Sequence, residues 1–136
     1  MLNVVCGVLI IDEKVMSARR SYGSAKGTFE FPGGKVEENE TKEEALIREF
    51  KEECHIDIEK VQYLESSFDI QEEEISLTCF TCTAKKKPVD LIAHDQYIWT
   101  TPDHIYDYPF FKSDEKLVEA LKENWECLKR QMKPKY

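Results

Sequence analysis

Short runs and alternations of apolar residues fill the first third of the chain, and they predict strands before any helix. Asn3 to Ile11 and Lys14 to Arg20, rich in Val, Ile and Met, read as two strands joined at Asp12-Glu13, so a hairpin opens the domain. Ser21 to Gly27 carries Gly, Ser and Lys and reads as a mobile loop. Thr28 to Phe31 is then a short strand that stops at Pro32 and delivers the chain to a Gly33-Gly34 turn.

The apolar period then becomes helical. Thr41 suits an N-cap and Glu44 the reciprocal capping-box position, so a helix is expected from there to about Cys54, with Ile47, Phe50 and Cys54 as its apolar stripe. Val61 to Ile70 and Glu74 to Ala84 suit an antiparallel pair turning near Gln71-Glu72-Glu73; Gln96 to Thr100 suits a further strand and Thr101-Pro102 a turn or short helix. Ser113 can cap a final helix with Asp114 and Glu115 in its first turn, and Leu117, Val118, Leu121, Trp125 and Leu128 recur at helical spacing as core. The basic stretch Lys129 to Tyr136 contains Pro134 and is expected to fray.

Composition narrows the class. At 136 residues the chain suits a single domain over residues 1–136. A net charge of -8 argues against sequence-independent binding to a nucleic acid polymer, which needs Lys and Arg on phosphates, but leaves a free nucleotide carried with a cation open. Val4 to Ile11 is too short for a membrane span and lacks the flanks of an export signal, so no membrane partner and a cytoplasmic location are expected. Five cysteines, an odd count, then read as reduced thiols. Cys79 and Cys82 form a C-x-x-C inside a strand, where an odd separation sends the side chains to opposite faces and argues against a zinc pair.

Chemistry concentrates around the predicted helix. Glu49, Glu52 and Glu53 stand at i, i+3 and i+4 and are expected to project toward one side. A solvated acidic face is the bland account. Against it, Glu49 and Glu53 are a like-charged pair one turn apart, which costs a helix a few tenths of a kcal/mol unless a cation compensates, and Arg48 helps only partly. Mg²⁺ is the natural ion, because it takes oxygen ligands, keeps several waters and is held by a few carboxylates plus substrate phosphates; Mn²⁺ could substitute. Glycines before the helix let backbone approach metal and phosphates, and one carboxylate could take a proton from water attacking phosphorus.

These residues resemble the Nudix box: Gly34, five residues, Glu40, seven residues, Arg48-Glu49-Phe50, one residue, Glu52-Glu53, two residues, then Ile56. His55 departs from it, standing where the family has Gly; the chain there is expected to turn through positive φ at a cost of about 1 kcal/mol. The resemblance implies an α/β (α+β) Nudix fold with a mixed β-sheet between helices, and a Mg²⁺-dependent hydrolase of nucleoside diphosphates linked to another moiety. It further implies the Gly33 carbonyl, Glu49, Glu52 and Glu53 as metal ligands, Glu53 or Glu49 as base, Arg48 orienting Glu49, and Glu40 supporting loop and helix.

Beyond the box the chain resembles the MutT-type branch, which includes oxidised-dGTP diphosphatases and CTP pyrophosphohydrolases. Arg19-Arg20, Phe29 to Glu37, Trp99, and Tyr108-Pro109 ahead of Asp114 carry that likeness. By it, Arg20, Phe31 and Asp114 would contact the nucleotide, along with Gly34 and Lys35 at the phosphates. Phe31 could equally be core, and Asp114 a helix N-terminal residue. Ala93 stands where the branch often has an acid, and His94 and Asp95 are the nearest substitutes; Asp95 could replace it from a loop or be an ordinary turn residue. The expected reaction is a nucleoside triphosphate plus water to the monophosphate and pyrophosphate, with 8-oxo-dGTP or a cytidine nucleotide as substrate and a monomer or homodimer as the acting unit. Hydrolysis of ADP-ribose or another nucleoside diphosphate derivative, and a non-catalytic nucleotide-binding regulator, are the rivals.

Overall fold

A computed structural model describes residues 2–70, 74–111 and 115–133. The expected turn at 71–73, the cap at Ser113, the base contact at Asp114 and the end of the basic tail, residues 134–136, lie outside them. Strand β1 (Leu2–Ile11) meets β2 (Lys14–Arg20) in an antiparallel hairpin. Both turn residues have positive φ, Asp12 at 53° and Glu13 at 60°, the twist that suits a two-residue hairpin. Strands β3 (Phe29–Glu30), β4 (Gly33–Lys35), β5 (Ile58–Ile70), β6 (Glu74–Ala84) and β7 (His94–Thr100) complete a mixed sheet in the order β3-β2-β1-β6-β5, with β4 on β1 and β7 on β2. Only β1 and β6 pair in parallel among the described strands.

Helices cover both faces because β1 is apolar on both. Val5 and Leu9 pack with Ala45, Leu46, Phe50 and Cys54 of helix α1 (Lys42–Cys54), while Cys6, Val8 and Ile10 pack with Leu117, Val118 and Leu121 of α2 (Glu115–Glu123) and Leu128 of α3 (Trp125–Gln131). Cys79 and Cys82 divide between these same two cores, as the odd separation requires, and both are free thiols. No helix among the described residues is long and apolar enough to cross a membrane.

Four expectations change. The Gly pair is not a turn: Gly33 and Gly34 lie in β4, opposite Cys6 and Val5 of β1, and neither has positive φ. Glycine is needed there for close approach, since a Cβ on Gly33 would lie 1.9 Å from the Val5 carbonyl oxygen. Ile47 is exposed and Leu46 takes its place in the stripe, because the buried face of α1 is set by contact with β1. The final helix is two, broken at Asn124, whose side-chain amide donates to the Ala120 carbonyl at 2.8 Å and competes with the helical ladder. Order also runs past Lys129, for α3 reaches Gln131 and Met132 is buried.

Helix α1 begins with the expected capping box: the Glu44 amide donates to Thr41 Oγ1 at 3.1 Å, and the Thr41 amide to Glu44 Oε1 at 2.8 Å. It ends at His55 in the left-handed region, φ 55° and ψ 39°. His55→Gly is therefore expected to stabilise the fold by about 0.5 to 1 kcal/mol, relieved αL strain outweighing the exposed contact of His55 Nδ1 with Asp90 at 3.0 Å. A urea midpoint that falls in this variant would refute the strain.

Candidate active site

Successive residues of an α-helix are rotated by about 100°, so Glu49 and Glu53 fall about 40° apart while Glu52 and Glu53 fall about 100° apart. The expected single-sided triad is accordingly split. Glu49 and Glu53, with side chains 14% and 18% exposed, turn inward and lie within hydrogen-bond reach of each other. Glu52 is 60% exposed and meets Arg48 Nη1 at 3.3 Å. Among the described residues, no three His, Cys, Asp or Glu side chains already stand together as a metal cage.

Arg48 ties the helix to the chain before it. Its Nε and Nη2 donate to the two oxygens of Glu40 at 2.9 Å, Nη1 donates to Glu49 Oε1 at 2.9 Å, and Nη2 also reaches the Lys35 carbonyl at 3.0 Å. Glu40 additionally accepts from the Glu37 amide at 2.9 Å. The Arg48 hydrogen bonds, then that amide, hold the Glu40 carboxyl down at about 2, and Glu40 in turn raises Arg48 above its ordinary value. The fixed fork of Arg thus sets both the loop over residues 35–40 and the place of Glu49.

Gly34 makes the floor of the pair. A Cβ there would lie 2.5 Å from the Glu49 carboxylate carbon, so the space beside Glu49 exists only because the residue is glycine. Burial, then the hydrogen bond and charge of Glu49 and the charge of Glu30, push the Glu53 carboxyl from 4.5 up to about 8. Two carboxylates held together beside close-lying glycine backbone fit a hard divalent cation that also takes water and phosphate oxygens.

This pair gives the metal-free protein a distinct pH signature. Between about 4.5 and about 8 the folded chain keeps the Glu53 proton that the unfolded chain has released, so stability falls as pH rises through that window and levels off above it. In a chelator, unfolding free energy is expected to drop by up to about 1 kcal/mol per pH unit from pH 5 to 8. Glu40 acts in another window: its contribution is present above 4.5 and lost as pH falls toward about 2. A flat urea profile from pH 5 to 8 would contradict the Glu53 assignment.

Other anticipated residues are more dispersed. Arg20 is near the pair, with Nε donating to Glu30 Oε1 at 2.7 Å and its guanidinium 4.9 Å from the Phe111 ring centroid. Phe31 is buried and packs edge-on against Phe110, the core alternative. Lys35 ends β4 with an exposed side chain. Asp95 is neither in a loop nor in a turn: it lies in β7 and accepts from Arg19 Nε at 2.6 Å, which lowers its carboxyl pKa.

Two further residues stand at the pair: Glu30, which has no role by sequence alone, and His94, one of the nearest substitutes for the acid missing at Ala93. Glu30 is part of the Phe29-Glu30-Phe31 run, and since both Phe side chains face the α2 core, strand alternation alone directs Glu30 to the α1 side. In the fold His94 is buried, with Nε2 at 3.0 Å from Glu30 Oε2 and 4.0 Å from Glu53 Oε2. Its approach depends on β7 pairing with β2 in the register Arg20 to His94, which no local pattern specifies.

The geometry has a counterpart among known proteins, for the family model described as NUDIX domain matches residues 1–121. The chain belongs to the Nudix family. Among its MutT-type relatives, the CTP pyrophosphohydrolase of Escherichia coli (strain K12) is 30% identical over 123 residues, 89% of this chain and 91% of that protein. An 8-oxo-dGTP diphosphatase of Proteus vulgaris is 40% identical over 88 residues, 62% of this chain and 79% of that one. The solution structure of the E. coli ORF135 protein superposes with a TM-score of 0.80 at 28% identity, covering 100% of this chain and 95% of the other. This Nudix protein is a hydrolase with the mixed sheet between helices of its family. Nudix hydrolases generally depend on a divalent metal and act on small nucleotide substrates.

Proposed function

We propose that this Nudix hydrolase is a Mg²⁺-dependent nucleoside triphosphate pyrophosphatase of the cytoplasm, converting an NTP or dNTP and water to the monophosphate and pyrophosphate. The carrying observation is the inward pair Glu49 and Glu53 against Gly34, braced by Arg48. The relatives' names, CTP pyrophosphohydrolase and 8-oxo-dGTP diphosphatase, support cytidine and oxidised guanine nucleotides as the first substrates to try.

In this reading the Gly33 carbonyl, Glu49, Glu52 and Glu53 hold the metal, for which Mn²⁺ can substitute; Glu52 leaves Arg48 to join them. Bound Mg²⁺ neutralises charge on the phosphate oxygens and favours nucleophilic attack by water. Glu53, turned inward beside Glu49, accepts the proton from the attacking water. Arg48 orients Glu49, and Glu40 keeps Arg48 in place through its paired bonds. Arg20, Gly34 and Lys35 face the phosphates or base, with Phe31 and Asp114 as further nucleotide contacts.

Purified protein with Mg²⁺ and a panel of ordinary and oxidised triphosphates, with products separated, tests this reading. Monophosphate and pyrophosphate are expected for at least one triphosphate, and activity should vanish in chelator and return with Mg²⁺. Absence of turnover of every NTP and dNTP, or release of inorganic phosphate and a diphosphate instead, would refute it.

A further inference from the structure

A second set of contacts reaches the carboxylate pair from the sheet side, outside the Nudix box. His94 is 2% exposed, with Nε2 at 3.0 Å from Glu30 Oε2 and its other ring nitrogen, Nδ1, buried without a hydrogen-bond partner among the described residues. Arg20 Nε holds the second oxygen of Glu30 at 2.7 Å, so both carboxylate oxygens are fixed. An imidazole buried with one nitrogen unsatisfied is a costly way to fill space that an apolar side chain would fill without that cost. Its geometry makes sense only through the nitrogen that is used: the bond requires a proton on Nε2 and places Glu30 in one rotamer.

The same His94 Nε2 that meets Glu30 Oε2 at 3.0 Å stands 4.0 Å from Glu53 Oε2, so the imidazole and the held Glu30 carboxylate lie beside Glu53. With His94 buried and Glu30 held on the sheet side, the room for Glu53 to leave the side of Glu49 is reduced. Release of Glu30 would let it move toward solvent and leave Glu53 free to follow. We propose that His94 is a positioning residue for hydrolysis, holding Glu30 with Arg20 so that Glu53 stays in register with Glu49. The inference rests on the reading of Glu53 as part of the hydrolytic centre.

Steady-state kinetics with Mg²⁺ and either CTP or 8-oxo-dGTP, whichever is turned over, tests this role in five variants. His94→Leu is expected to lower kcat about 10- to 100-fold with KM changed less than about threefold and with Tm no lower than in the parent protein. His94→Gln, whose amide nitrogen reaches the place of Nε2, should restore kcat to within about threefold. Because His94 acts through Glu30, His94→Leu combined with Glu30→Gln should be no slower than Glu30→Gln alone. Glu30→Gln leaves the buried position untouched and should itself lower kcat at least about tenfold, which keeps the route testable if His94→Leu does not fold. Unchanged kcat in His94→Leu or Glu30→Gln, losses that multiply in the double variant, or equal losses in the Leu and Gln variants would overturn the proposal. Glu53→Gln separates the two levels: if it is inactive while His94→Leu is fully active, only the positioning role fails, whereas an active Glu53→Gln overturns the reading of the centre on which that role rests.

Discussion

Glu53→Gln is expected to lower kcat about a thousandfold while making the metal-free protein more stable at pH 8. Both effects have one cause. The carboxyl is held among Glu49 and Glu30 with its pKa raised to about 8, so ionising it is unfavourable in the fold without a cation and necessary for chemistry with one. Gln preserves the shape and can still hydrogen-bond to Glu49, but it neither accepts a proton from water nor carries the charge a metal needs. The stabilisation should grow from pH 5 to 8 and reach on the order of 2 kcal/mol, a value reduced for the partial access of solvent to the site. Urea unfolding in chelator at several pH values, set beside Mg²⁺-supported kinetics, measures both. Parental activity would remove Glu53 from the centre, and a loss of activity with a parallel loss of stability would mark a structural role instead.

The adjacent glycines are expected to fail in different ways. In Gly33→Ala the new Cβ would meet the Val5 carbonyl oxygen at 1.9 Å and Cys6 Cα at 2.7 Å, all backbone, so β4 must part from β1. A loss of about 3 kcal/mol of stability is expected, with activity falling along with the folded fraction. In Gly34→Ala the clash, at 2.5 Å, is with the end of the Glu49 side chain, which can swing aside. Stability should change by less than about 1 kcal/mol while kcat falls about a hundredfold, because a displacement of roughly 1 Å in a catalytic group is enough for that. Circular dichroism melts and kinetics on the two variants check the contrast. Equal melting temperatures for both, or a fully active Gly34→Ala, would show that these close approaches do not govern function.

Much of the fold was legible because it is written in contiguous residues. Thr41 and Glu44 cap α1 with atoms only three residues apart, Asp12-Glu13 make a hairpin turn by their own φ values, and His55 takes the αL position at the end of the same helix. The break at Asn124 was missed because Leu117, Val118, Leu121, Trp125 and Leu128 keep helical spacing through it, and apolar period cannot register a side-chain amide that bonds back to the Ala120 carbonyl. Ile47 was misplaced because the choice between it and Leu46 depends on which flank of α1 meets β1.

By itself the sequence determined the family, the capped helix α1 of the box, and which carboxylates are neighbours along it, since spacing along one helix fixes that. Only the tertiary structure decided how those groups meet: Glu52 turned out to Arg48, Glu49 and Glu53 turned in against Gly34, Phe31 buried, Glu30 and His94 brought up from two other strands. The reason is physical. A motif within one helix is set by a repeat of about 3.6 residues, whereas the approach of β7 to that helix depends on its pairing and register with β2, more than seventy residues away along the chain, which no local pattern carries.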